Sequence, residues 1–201
     1  MKQDDFFKDP DPPVQSLPKL QVLQDNQPGY ANRTKINAKS ADITLAFAID
    51  FSTHGEKLTA RCAGDFIHKT PWPTTPEAFH REVLQSLAKL NLGKELKLNI
   101  AGNGIYTFKS VATQKQLNKW VYDCLQKLSQ SHKITVIRSG GQTGIDTAGL
   151  VAALALEIPA IGYYPQGYKL RNKQGQDVNL SQDFLTQWLI KQSIELTKEQ
   201  S

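Results

Sequence analysis

Residues 134–156 read ITVIRSGGQTGIDTAGLVAALAL, and their reading decides the fold. A β-branched run, Ile134 to Ile137, breaks at Ser139-Gly140-Gly141-Gln142-Thr143-Gly144 and resumes as an Ala/Leu-rich segment from Ile145 to Leu156. The spacing predicts strand, glycine turn, helix. At such a tip the free N–H groups of the first helical turn and the helix dipole favour an anion or a polar ligand. Glycines let that ligand approach the backbone. The motif is neither a P-loop nor a Rossmann fingerprint: no Gly-Lys-Ser/Thr closes it, and the glycines fall as G-G-x-x-G. A tight structural turn is the plain alternative. Asp146, in the first helical turn, complements the dipole but would repel a dianionic phosphate. It is therefore expected to meet a sugar hydroxyl or a cation, or to share the site with a ligand whose charge lies to one side.

Working outward, residues 43–50, ITLAFAID, form a near-continuous apolar run that suits a strand covered on both faces of a parallel sheet. It runs into a second polar tip, Thr53-His54-Gly55-Glu56, with Glu56 opening a helix to Phe66. Residues 96–101 form a strand leading into Gly102-Asn103-Gly104-Ile105-Tyr106-Thr107. That third turn can supply positive φ twice, and reads either as a structural bend or as a floor or wall for a ligand with Tyr106 as a stacking ring. A weaker strand falls at 66–72 and another at 159–164. The latter enters a basic loop in which Lys169, Arg171 and Lys173 are either a phosphate clamp or a solvated charge run. Thr74-x-x-Glu77 reads as a capping box for a helix to about Leu90. Leu117, Trp120, Val121, Cys124, Leu125 and Leu128 mark one helix face, and Ser181 caps a last helix. About five strands alternating with helices predict an α/β, three-layer Rossmann-like sandwich with a mostly parallel sheet. Right-handed crossovers bring the glycine turns to one rim, where ligands bind in such sheets.

The stretch SGGQTGIDTAGLVAALALEIPAIGYYPQGYK, residues 139–169, resembles the opening segment of the molybdenum-carrier-like proteins, a branch of the SLOG superfamily of Rossmann-like domains. That superfamily also holds the lonely-guy phosphoribohydrolases and the DNA-processing protein DprA. Arg33-Thr34, Asn37, Ser40, Asp42, Thr44-Leu45 and Phe47 match a later piece of the same family. So do Gly55 with Leu58-Thr59, and Asn99-Ile100-Ala101-Gly102. Here these pieces precede the glycine turn, so the chain resembles the family in circularly permuted order, as in a set of uncharacterised phage proteins. The resemblance covers most of residues 30–175. It implies a ligand-side role for Arg33 and Asn37, and in the glycosidic-bond cleaving members an acidic residue near a tip like that of Glu56 takes part in chemistry. The longer PGG-x-GT-x-x-E pattern of those members is absent here.

At 201 residues the chain suits one domain. Residues 1–29 read as an extended or poorly ordered arm in which Phe6, Phe7, Val14, Leu17 and Leu20 could dock, 30–195 as the domain and 196–201 as a polar tail. A charge of +5 permits nucleic acid or a phosphorylated ligand without demanding either. Cys62 and Cys124 read as buried thiols of a reducing compartment. No signal-peptide pattern or membrane-length apolar run is present, so a cytoplasmic protein is expected, in the host cytoplasm if phage-encoded. His54, His68, His80 and His132 are scattered, so no metal and no cofactor is expected. The helix from Ile145 is apolar nearly all round, which calls for a long covering loop or a partner subunit; a homodimer or higher homo-oligomer is expected.

The leading functional expectation is binding of a small phosphorylated ribose or nucleotide derivative, with sequestration of a nucleotide signal as one use. Ser139, Gly140, Gly141, Gln142, Thr143 and Gly144 would cradle it. Thr53, Gly55, Gly102, Asn103, Gly104 and Tyr106 would wall it, Asp146 or Glu56 would take hydroxyls, and Lys169 or Arg171 would add charge. The alternative is an enzyme cleaving or transferring an N-glycosidic or phosphoribosyl bond, with Glu56 or Asp146 as acid/base. DprA-like nucleic-acid binding, prompted by a pI of 9.1, ranks last because the basic residues are dispersed.

Overall fold

The computed structural model describes residues 19–198. In chain order the elements are β1 (Leu20–Gln24), α1 (Tyr30–Lys39), β2 (Ile43–Ala48), α2 (His54–Ala63), β3 (Ile67–Pro71), α3 (Pro76–Lys89), β4 (Glu95–Gly102), the single turn α4 (Ile105–Phe108), α5 (Gln114–Ser129), β5 (Lys133–Ser139), α6 (Ile145–Ala155), β6 (Ala160–Tyr164), β7 (Lys169–Arg171), β8 (Asp177–Asn179) and α7 (Gln182–Lys198). Six strands form one sheet in the order β1-β6-β5-β4-β2-β3, with every pairing parallel. The α/β, Rossmann-like reading holds, with one strand more than the sequence suggested. The extra strand comes from the segment read as an arm. Leu20–Gln24 pairs with Ala160–Tyr164, and Asp25 N–H continues the ladder to the Tyr164 carbonyl. The docking residues Phe6, Phe7, Val14 and Leu17 lie outside the described residues.

The strand β2 explains why the two sides of the sheet differ. Its alternation puts Ile43, Leu45 and Phe47 on one face and Thr44, Ala46 and Ala48 on the other. The large face packs against α3 and α5, where Phe47 stacks on Phe79 at 5.5 Å and meets the edge of Trp120 at 5.1 Å. Burying such a ring contributes roughly 1.5–3 kcal/mol. The small face continues onto β4 as Asn99 and Ala101, paired with Thr44 and Ala46. Right-handed crossovers place α1 and α2 on this face, packed against each other. Small strand residues below two helices leave room between them.

Helix α6 finds its cover inside the chain, between α5, α7 and the strands β4, β5 and β6. Its all-round apolar character therefore needs no partner subunit. Gly149 allows the closest approach: a Cβ there would lie 2.6 Å from Ile100. Several local readings change. The cap of α3 is Thr75, which accepts from Ala78 N–H at 3.3 Å, while Thr74 donates to the Pro71 carbonyl. A true capping box sits instead at Thr113 and Gln116, its cap four residues before Leu117, the first recognised apolar position of α5. Cys124 is buried, but Cys62 is only partly so. The basic loop after β6 folds into the antiparallel hairpin β7–β8.

Candidate functional site

The chain leaves β2 toward one edge of the sheet and β4 toward the other. The strand order thus reverses between the carboxyl ends of β2 and β4, where open α/β sheets bind ligands. A cavity of 460 Å³ opens there. Its walls are the first turns of α1 and α2, its floor is β4 from Asn99 to Gly102, and its back is the glycine turn before α6. The hairpin borders it through Arg171. Both α1 and α2 begin at the rim and run down the sheet. Asn37 therefore lies one turn, about 6 Å, below Arg33, and lines the cavity together with Asn99.

The glycine turn does not present an empty anion cradle. Gly140 is covered by the Arg33 guanidinium: a Cβ on Gly140 would fall 1.1 Å from Arg33 Nη1. That nitrogen donates to Asp146 Oδ2 at 2.9 Å, in an ion pair only 11% and 5% exposed. Asp146 also accepts from Gln142 N–H at 3.3 Å. Gly144 N–H donates to Gln114 Oε1 at 2.6 Å, and Ile145 N–H to the Asn103 carbonyl at 3.2 Å. Three of the N–H groups expected to face a phosphate are thus satisfied within the chain. Burial pushes the Asp146 carboxyl up; the Arg33 charge beside it and N–H donation from Gln142 and Gly102 oppose that shift.

The second and third turns are stapled together by Asn103. Its Oδ1 accepts the N–H groups of Ile49 and Asp50 at 3.0 and 2.9 Å, and its Nδ2 donates to the Asp50 carbonyl and to Glu56 Oε1 at 3.0 and 3.2 Å. Neither Gly102 nor Gly104 uses the positive φ that glycines could have supplied to this turn. Gly102 is required for space: a Cβ would lie 1.9 Å from the Phe47 carbonyl oxygen. Glu56 is 6% exposed, and its second oxygen, Oε2, has no partner. Burial, then the nearby Asp146 charge, push its carboxyl up to about 7, against the hydrogen bond from Asn103. Two further groups in the wall are left without partners: the Nε of Arg33, and both polar atoms of the Asn37 amide, a residue 1% exposed. Chains rarely bury such groups unless something else satisfies them.

Of the residues singled out in the sequence, Arg33, Asn37, Thr53, Gly55, Glu56, Gly102, Asn103, Gly104, Tyr106, Gly140, Gln142, Thr143, Asp146 and Arg171 line the cavity. Ser139, Gly141, Gly144 and Lys169 do not. Ser139 donates to the Ile100 carbonyl at 2.7 Å, and Gly141, with φ of 70°, lies under the Tyr164 ring. Gly144, with φ of 96°, bridges to Gly104. Lys169 stands in β7 away from the lining. Arg171 reaches the cavity with its charge engaged: its Nε donates to Asp177 Oδ1 at 2.8 Å, and Tyr30 Oη donates to the same oxygen at 2.9 Å. Its backbone holds the hairpin to the turn, through Gln142 Oε1 at 2.7 Å and the Thr143 hydroxyl. The sequence reading missed Tyr30, Leu58, Thr59 and Asn99 in the lining and Gln114 behind it. The period-2 position of Asn99 on the small face of β4 was the available signal.

Among the described residues no group of three or more His, Cys, Asp or Glu is placed to hold a metal ion, and no helix is long and apolar enough to cross a membrane. Neither the curated proteins nor the solved structures contain a match to this chain. Residues 137–195, from the end of β5 through the glycine turn into α7, match the model of the circularly permutated YpsA SLOG family, and this match supports the SLOG superfamily, in permuted order, for the chain.

Proposed function

We propose that the slot between α1 and α2 binds a small nucleotide-type molecule. The observation that carries this is the set of unpartnered buried polar atoms around one cavity: the amide of Asn37, the Nε of Arg33 and Oε2 of Glu56. A cavity of 460 Å³ falls within the usual range for small-molecule sites, about 300–1,000 Å³. The apolar Leu58 and Ala101 beside amide and carboxyl groups suit a ring carrying hydroxyls. SLOG membership points in the same general direction, toward binding or processing of nucleotide derivatives. Sequestration of a nucleotide signal, in the cytoplasm, is the use we attach to binding without turnover. Isothermal titration of the folded full chain against nucleosides, nucleotides and phosphorylated riboses tests the proposal. Heats of binding are expected for at least one ribose-containing member; silence across the whole panel would remove it.

One observation favours a second reading, cleavage of an N-glycosidic bond. A carboxyl held near neutrality beside a second buried carboxylate has the properties of a general acid. Release of free base from nucleoside monophosphates, abolished in Glu56→Gln while ligand still binds, separates catalysis from binding.

A further inference from the structure

The glycine turn is closed to a phosphate in three ways. The N–H groups of Gln142, Gly144, Ile145 and Thr147 are spent within the chain, on Asp146 Oδ2, on Gln114 Oε1 and on the carbonyls of Asn103 and Gln142. The Arg33 guanidinium covers Gly140 and is itself neutralised by Asp146 at 2.9 Å. Asp146 and Glu56 both line the cavity, near enough for the Asp146 charge to bear on the Glu56 carboxyl. A dianion placed at the turn would have to break an ion pair and face two carboxyl groups, without those N–H groups in exchange.

Away from the turn the lining offers neutral groups. Asn37 and Asn99 contribute amides, and Leu58 and Ala101 contribute apolar surface. No partner fixes the Asn37 amide, so it can turn to meet either polarity of a ring edge. The cation with unused donors stands at the mouth. The Arg171 side chain is 48% exposed; its Nε is bound to Asp177 at 2.8 Å, and no carboxylate among the described residues engages its Nη groups. Its position does not rest on that side chain alone. The Arg171 N–H donates to Gln142 Oε1 at 2.7 Å and its carbonyl accepts from the Thr143 hydroxyl, which seats the hairpin on the rim. We infer, resting on the nucleotide-type reading of this cavity, that the guest enters ring and sugar first and keeps its phosphate at the mouth, on the Nη groups of Arg171, rather than on the glycine turn. Arg171 is then the residue that tells nucleotide from nucleoside, and the body of the cavity binds both.

The test is isothermal titration of the full chain with the common ribonucleosides, each against its 5′-monophosphate, and with inorganic phosphate. In a pair that binds, the nucleoside is expected to bind unaided and the monophosphate about three- to tenfold tighter in low salt, the gain of an exposed ion pair. At about 0.5 M salt that gain should vanish. In Arg171→Met the two members of the pair should bind alike in low salt, and Arg171→Lys should restore part of the difference. Should Arg171→Met fail to fold, the salt dependence of the wild-type pair decides alone. A monophosphate favoured by about a hundredfold or more, or still favoured in Arg171→Met or in high salt, puts the phosphate on a buried site. That result, like saturable binding of inorganic phosphate or equal binding of both members by the wild type in low salt, overturns this inference while the nucleotide-type reading survives. Silence of every ligand overturns both.

Discussion

The Arg33 guanidinium lies 2.9 Å from the Asp146 carboxylate and fills the space above Gly140, so a side chain from α1 and one from α6 close the glycine turn between them. The two residues are 113 positions apart in the chain. Removing one member of a buried pair strands the other charge. Arg33→Leu is expected to destabilise the fold by about 3–5 kcal/mol. Arg33→Leu with Asp146→Leu should cost clearly less than the two single changes summed. Urea unfolding of the three variants measures this. A loss below about 1 kcal/mol for Arg33→Leu alone would show that the pair is loose and solvated.

The glycines separate into two kinds that the sequence could not distinguish. Gly102 is boxed in by the Phe47 carbonyl at 1.9 Å and by Ile145 at 2.8 Å, whereas nothing lies within 4 Å of a Cβ on Gly55, inside α2. Gly102→Ala is expected to cost more than about 3 kcal/mol. Gly55→Ala is expected to gain about 0.5–1 kcal/mol through helix propensity and lost chain freedom. Thermal melts of both variants would contradict this account if the two shifts had the same sign.

That contrast marks what was legible. Parallel strands, rim turns and the grouping of Glu56, Gly102 and Gln142 around one hollow follow from local pattern, because a period of 2 or 3.6 and a glycine break are written in neighbouring residues. What the backbone N–H groups of the turn would meet was not. The partners that occupy them, Asp146, Gln114 and Asn103, are fixed only by how three distant loops dock. Strand β1 was missed for a related reason. LQVLQ is too short and polar to announce itself, and its place is set by pairing with β6, about 140 residues on.

Glu56 makes stability depend on pH. Its carboxyl sits at about 7 in the folded chain against an ordinary value of 4.5. Between those values the folded state binds more protons than the unfolded one, so stability falls as pH rises from about 4.5 through about 7. The full span amounts to about 3 kcal/mol. Glu56→Gln keeps an acceptor for Asn103 and cannot ionise. Its stability at pH 8 should exceed that of the wild type, and the two curves should converge near pH 5. Denaturant titrations at pH 5, 6.5 and 8 measure the difference; parallel curves would mean that Glu56 ionises freely.

Gln114 holds the turn from behind. Its Oε1 accepts from Gly144 N–H at 2.6 Å and its Nε2 donates to the Gly144 carbonyl at 2.8 Å, with a third bond of 2.8 Å to Asn118. A side-chain amide thus pairs with both polar groups of one buried peptide position. Truncation to alanine would leave that N–H buried without a partner and the carbonyl with only the helical bond from Ala148 N–H at 3.0 Å. Gln114→Ala is expected to cost about 2–4 kcal/mol, more than the loss of one ordinary hydrogen bond. Gln114→Glu keeps the acceptor for Gly144 N–H but sets an oxygen against the Gly144 carbonyl, so it should be rescued as the pH falls and the carboxyl gains a proton to donate. Hydrogen exchange at Gly144 gives a local readout. Exchange at Gly144 in Gln114→Ala that rises by more than the lowered global stability accounts for would locate the loss in the turn itself, whereas unchanged exchange would contradict the role given to this amide.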